Sequence, residues 1–106
     1  MQTNYKKGRS FEYRVKKILE KQGFYVIRSA GSHGAFDLIA IKRNILYLYQ
    51  LKKNKYFKIK EVSIKQYYKL KEEKKLETNC VYKIKDILFQ QFVVYSDNRK
   101  IIFKKI

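Results

Sequence analysis

Residues 36 to 53, FDLIAIKRNILYLYQLKK, restrict the fold more than any other stretch of this chain. Phe36 with Leu38 to Ile41 forms one apolar run, and Ile45 to Leu51 forms a second, β-prone one; the polar Lys42-Arg43-Asn44 lies between them. Two such runs around so short a break predict an antiparallel hairpin turning at Arg43 and Asn44. Pairing about that turn brings position 37 opposite the region of 50 to 52, within reach of Gln50. Side chains alternate along a strand, so Gln50 and Lys52 share a face. A carboxylate (Asp37), an amide oxygen (Gln50) and an ammonium (Lys52) are therefore expected to converge at one strand edge, the composition of a metal and phosphate site.

The segments around the hairpin follow in order. Met1 to Lys7 is a polar, basic lead-in that reads as a flexible arm. From Gly8 or Arg9 to Gln22 the period becomes helical: Phe11, Val15, Ile18 and Leu19 form one stripe, Ser10 is a candidate cap and Gly23 a candidate stop. Phe24 to Arg28 reads as a strand, and Ser29 to Gly34 as a flexible loop leading to Asp37. Beyond the hairpin, Asn54 to Lys60 is a basic connection holding Tyr56 and Phe57. A second helix is expected from about Ser63 to Glu77, with Ile64, Tyr67, Tyr68, Leu70 and Leu76 as apolar contacts and Asn79 closing it. The last third is strand-like, with a turn at Ser96 to Arg99 between Phe92 to Tyr95 and Lys100 to Phe103. No repeat or long linker divides the chain, so a single domain over residues 1–106 is expected, in an α/β or α+β layer order.

Charge narrows the partners. Twenty-six basic residues stand against nine acidic ones, a formal net charge of +17 with pI near 10.0. That excess points to a polyanion, with nucleic acid ahead of an anionic membrane surface. No apolar run approaches the roughly 20 residues of a spanning helix, and no secretory signal opens the chain. Cys80, the lone cysteine, has no disulfide or zinc companion, which fits a cytoplasmic location.

Over residues 6 to 53 the chain resembles the archaeal Holliday junction resolvases, members of the restriction-endonuclease-like nuclease superfamily. The resemblance rests on a combination: Lys-Gly before a helix carrying Glu12, Gly-Phe leading into Arg28-Ser-Ala-Gly-Ser, then Asp37-Leu-Ile-Ala, then Gln50-Leu-Lys52 in place of Glu-x-Lys. It implies a central mixed β-sheet flanked by helices, and a homodimer cutting opposed strands of a four-way DNA junction by hydrolysis. It further implies that Glu12, Asp37 and the position of Gln50 gather around a divalent metal, usually Mg2+ with Mn2+ as substitute. Lys52 matches the lysine beside the attacking water and scissile phosphate, Arg28 an arginine of the site or the DNA contact, and Ser32 a serine of the active-site loop. The chain departs from the family where Gln50 replaces the usual acid, and where Tyr13 stands in place of a basic residue with Arg14 one position later. Some related nucleases also carry glutamine at the first of these positions.

The chemistry agrees independently of the resemblance. A hard cation held by carboxylate and carbonyl oxygens activates water and neutralises the developing phosphorane charge, and an ammonium adds to the second effect. The backbone carbonyl of Leu51 is a further candidate ligand beside Gln50. With one negative charge missing, metal affinity should fall. Lys7, Arg9, Arg14, Arg28, Lys53 and Lys55 are the candidate phosphate contacts, giving salt-dependent binding. Tyr56 and Phe57 can stack on unpaired bases or pack into a core or dimer surface. Each residue also has a bland reading: Asp37 as a loop cap, Glu12 as a solvated partner of Lys16, Lys52 as one surface lysine among many, Ser32 and His33 as loop residues, Cys80 as a small core residue. Two other functions compete with the nuclease. One is a degenerate nuclease fold that binds branched DNA without cutting, in which Gln50→Glu would raise cleavage and leave affinity unchanged. The other is a basic RNA-binding or structural protein with no preference for junctions.

Overall fold

The computed structural model describes the backbone of residues 4–29 and 34–106, with side chains in the first helix from Ser10 onward. Helix α1 spans Asn4–Lys21. It begins ahead of the expected start, and Ser10 lies inside it and caps nothing. Lysines are good helix formers, and one interior glycine such as Gly8 costs only about 1 kcal/mol, too little to break a helix whose far half is anchored by packing. The stop is as the sequence predicts. Gly23 takes φ +92°, while Phe24 N–H donates to Leu19 O (3.1 Å) and Gly23 N–H to Glu20 O (3.0 Å), the paired bonds of a Schellman cap.

Strand β1 (Tyr25–Arg28) pairs antiparallel with β2 (Leu38–Lys42), and β2 with β3 (Ile45–Lys52). Arg43 and Asn44, at φ 53° and 63°, form a left-handed two-residue turn whose twist suits a hairpin. The register sets Leu38 against Tyr49. The chain then leaves this sheet for β4 (Lys58–Val62), α2 (Ile64–Glu72) and β5 (Cys80–Ile84), and returns as β6 (Gln90–Asp97) and β7 (Lys100–Lys105). The resulting order is β1-β2-β3-β6-β7, mixed because β3 and β6 run parallel, with β4 and β5 as a separate parallel pair. This is the α/β, restriction-endonuclease-like architecture with a mixed central sheet that the resemblance implies.

Two further elements differ from the sequence reading. Lys58–Val62, whose first three residues were expected in the basic connection Asn54 to Lys60, is a strand. Helix α2 ends at Glu72, short of Glu77: Lys74 turns left-handed at φ 56° and Lys75 N–H closes on Leu70 O at 2.8 Å. Its start is fixed by a reciprocal capping box, in which Ser63 accepts from Gln66 N–H and Gln66 accepts from Ser63 N–H.

Alternation assigns the sheet two faces. Leu38 and Ala40 of β2, Tyr49 and Leu51 of β3 and Val94 of β6 pack with Val15 and Leu19 of α1. The other parity, Leu48, Gln50 and Lys52 of β3 with Gln91 and Val93 of β6, points away from α1. A second cluster, Tyr67, Cys80, Tyr82 and Ile84 with Phe36 and Ile87 against it, builds the layer on that side. Cys80 is a buried, free thiol of this cluster, as its bland reading held. Among the described residues no helix is long and apolar enough to cross a membrane.

Candidate active site

Asp37 stands where the β2–β3 ladder runs out. Its N–H donates to Tyr49 O (2.8 Å), and its Oδ2 accepts the Leu51 N–H (2.8 Å) that the ladder no longer pairs. An extended residue presents its N–H and C=O to the same side, so Leu51 turns its carbonyl toward the Asp37 end as well. The residue retains accessible surface, yet protein crowds its carboxyl. That burial pushes the carboxyl above the ordinary carboxylate range; the charge of Glu12 adds to the rise, while the Leu51 N–H and the Lys52 ammonium oppose it.

Glu12 approaches from α1. Arg28 Nε donates to Glu12 Oε1 at 2.5 Å, Arg28 Nη1 lies 3.2 Å from Tyr13 Oη, and the guanidinium carbon sits 4.7 Å from the centre of the Tyr13 ring. Arg28 thus orients the helix carboxylate, and Tyr13 supplies the surface on which it rests. Lys52, on the face away from α1, donates from Nζ to Thr78 O (3.3 Å).

Asp37, Gln50, Leu51 and Lys52 share a cavity of about 310 Å3, whose far wall includes Tyr67, Lys71 and Glu77. Tyr67 and Lys71 went unread in the sequence, where Tyr67 counted only as an apolar contact and Lys71 was not singled out. The phenol of Tyr67 reaches Gly34 O (3.4 Å), and burial, then the Asp37 charge, holds it above its ordinary pKa. The helical period placing Tyr67 and Lys71 four apart on one face was the available signal.

Gln50 does something the sequence did not suggest. It is 5% exposed, its Nε2 donates to Tyr82 O (2.6 Å) and its Oε1 accepts from Tyr82 N–H (3.1 Å). The amide oxygen expected to face a metal is therefore bonded to the backbone of β5. Gln50→Glu would remove the donor from Tyr82 O and bury a charge there, so it no longer separates a cutting from a non-cutting protein cleanly. Among the described residues no group of three or more His, Cys, Asp and Glu gathers. Two carboxylates, Asp37 and Glu12, remain in electrostatic contact. Mg2+ is commonly held by one or two carboxylates with waters and substrate phosphate, so this donor set fits a hard cation.

Of the remaining candidates, Arg14, Lys53 and Lys55 are exposed, with Lys55 Nζ 3.6 Å from Asp97. Ser32 and His33 lie outside the described residues, as do the side chains of Lys7 and Arg9.

A mixed sheet with a helix glutamate, an aspartate at the hairpin's open end and a lysine on the next strand defines a member of the restriction-endonuclease-like class. The chain belongs to the archaeal Holliday junction resolvase (Hjc) family, whose model matches residues 3–102. It is similar to the crossover junction endodeoxyribonuclease Hjc of Methanocaldococcus jannaschii, 47% identical over 64 residues, 58% of this chain and 47% of that protein. The match thus spans about half the length of that curated relative.

Proposed function

We propose that this chain is a structure-specific DNA endonuclease that resolves four-way junctions by hydrolysing phosphodiesters. The observation that carries the reading is the cavity shared by Asp37 and Lys52, with the charge of Glu12 acting on Asp37, in a protein of this family. A divalent cation, Mg2+ or Mn2+, bound by Asp37 and Glu12 with the Leu51 carbonyl, would supply Lewis acidity and a more acidic water. The protein's own groups do the rest. Leu51 N–H aims the Asp37 carboxylate, Arg28 aims that of Glu12, and Lys52, steadied by Thr78 O, presents its ammonium to the phosphate as negative charge builds. Arg14, Lys53 and the wider basic surface hold the DNA backbone. Cutting two opposed strands requires two such sites, hence a homodimer; Leu88, 97% exposed, and Phe89, 54% exposed, offer apolar surface for one. Acting on DNA, such a protein would work in the cytoplasm.

A second reading, junction binding without cutting, is favoured by the amide of Gln50 where the family has an acid. A labelled four-way junction, set beside a duplex of equal length with Mg2+ or Mn2+, separates the two. Paired symmetrical cuts in the junction alone are expected, reduced at least a thousandfold in Asp37→Asn while binding persists. Tight junction binding with no cation-dependent cleavage would replace the first reading with the second.

A further inference from the structure

A second cavity, of about 450 Å3, adjoins the first. Tyr56, Phe57 and Lys58 form one wall, and Glu77, Thr78 and Asn79 the other. Glu77 lines both cavities. The same short segment holds the site's lysine, because Lys52 Nζ donates to Thr78 O.

The two aromatic residues divide the work. Phe57 packs edge-on against Tyr95 of β6 at 5.3 Å, which anchors that wall in the main sheet. Tyr56 is 73% exposed. Its N–H is held by Asn54 Oδ1 at 2.8 Å, and Lys55 Nζ lies 5.6 Å from its ring centre. An aromatic ring held out to solvent beside lysines is what stacking on a nucleobase uses, since every base has a π-face and the cations take the adjoining phosphates. The one acidic group of the wall does not repel a polyanion alone, because Lys60 Nζ pairs with Glu77 Oε1 at 2.7 Å. The volume lies in the ~300–1,000 Å3 range of small-molecule sites, and Thr78 and Asn79 put polar groups at the rim for a base edge.

We infer that this second cavity takes one unstacked nucleobase next to the scissile phosphate, stacked on Tyr56 with its edge toward Thr78 and Asn79. The inference rests on the endonuclease reading and deepens it: a branch point offers an unstacked base, whereas continuous duplex does not. Through Thr78, an occupant also bears on where Lys52 points.

The test is binding without divalent cation, so that nothing is cut, using four-way junctions carrying 2-aminopurine singly at the branch or within an arm. The wild-type protein should change the fluorescence of the branch probe and leave the arm probe unchanged. Tyr56→Ala should abolish that change and weaken junction binding roughly tenfold, with duplex affinity unaltered, while Tyr56→Phe keeps both. So exposed a side chain can be truncated without unfolding the protein, and equal urea midpoints would confirm it. If wild type prefers the junction and Tyr56→Ala leaves fluorescence and affinity unchanged, the base pocket is wrong and the endonuclease reading stands. If wild type shows no preference for the junction over duplex, both fall together.

Discussion

The two halves of this molecule are joined by different chemistry from that which holds each together. Against α1, the five-stranded sheet closes on a buried apolar core, in which Val15, Leu19, Leu38, Ala40 and Val94 are at most 2% exposed, with the Arg28–Glu12 ion pair at its part-exposed edge. On the other face, the β4–α2–β5 layer meets the sheet through two buried amides as well as through apolar contact. Gln50 of β3 takes both backbone groups of Tyr82, and Gln91 of β6 takes both of Ile84, accepting at 2.9 Å and donating at 2.9 Å. Tyr82 and Ile84 are alternate residues of β5, so the two glutamines act as a substitute strand edge. Apolar burial is non-directional and sets how firmly layers adhere. Paired amides set register, because each bond is made at only one alignment. The cavity holding Asp37 and Lys52 lies in that seam, and its far wall is placed to within a residue by Gln50 and Gln91.

The contrast breaks most visibly at Gln91, which is 3% exposed. Gln91→Leu adds apolar surface but leaves Ile84 N–H buried without its partner and Ile84 O with only the longer bond from Ile87 N–H at 3.3 Å, a cost of about 1–3 kcal/mol. Against a total stability of roughly 5–15 kcal/mol, urea unfolding should show a clear fall in midpoint. If the midpoint holds, apolar contact alone fastens the layer and the amides are incidental. Gln50→Glu sharpens the point through pH. At neutral pH a buried carboxylate faces Tyr82 O and should destabilise at least as much as Gln50→Leu. Burial raises its pKa, so that destabilisation is complete above the folded-state value, declines as pH falls below it and vanishes below the unfolded-state pKa, as the protonated acid again donates to Tyr82 O.

This division also explains what the sequence disclosed. The hairpin was legible because Phe36 to Lys53 sets two apolar, β-prone runs around Lys42-Arg43-Asn44, and pairing about that turn placed Asp37 opposite the region of 50 to 52 without further information. The α1 stop was legible in Gly23. Strand β4 was not: every position from Lys58 to Glu61 is exposed, so no apolar alternation marks it and only its pairing with β5 makes it a strand. Nor was the duty of Gln50, whose partner lies thirty-two positions away along the chain. A glutamine at a family's acidic position looks like a weakened ligand until its backbone partner is in view. Tyr67 and Lys71 were hidden for the same reason, as the cavity they line exists only once the layer is docked.

A smaller effect is expected at Asp37, where the seam carries charge for function and not for adhesion. Its carboxyl is raised chiefly by burial, so ionising it works against folding. The penalty is absent below the unfolded-state pKa, grows as pH rises and is complete above the folded-state value. Asp37→Asn, which can still accept from Leu51 N–H, should therefore unfold at a slightly higher midpoint than wild type at pH 8 without divalent cation, and the gap should close as pH falls toward 3. A variant less stable at pH 8 would mean that the Leu51 bond outweighs desolvation.

The least effect belongs to Lys60, and its smallness is informative. Lys60 and Glu77 form a short ion pair near the seam, at 2.7 Å, yet both side chains are more than 40% exposed. Lys60 holds the acid of Glu77 below the ordinary carboxylate range through that bond, but water screens the pair and both long side chains lose freedom in making it. Lys60→Ala should leave the urea midpoint unchanged. The removed charge should appear instead in DNA binding, as a small loss of junction affinity that fades with added salt. A midpoint shift comparable to that of Gln91→Leu would overturn the distinction, because a solvent-exposed pair would then fasten the layer as firmly as a buried amide.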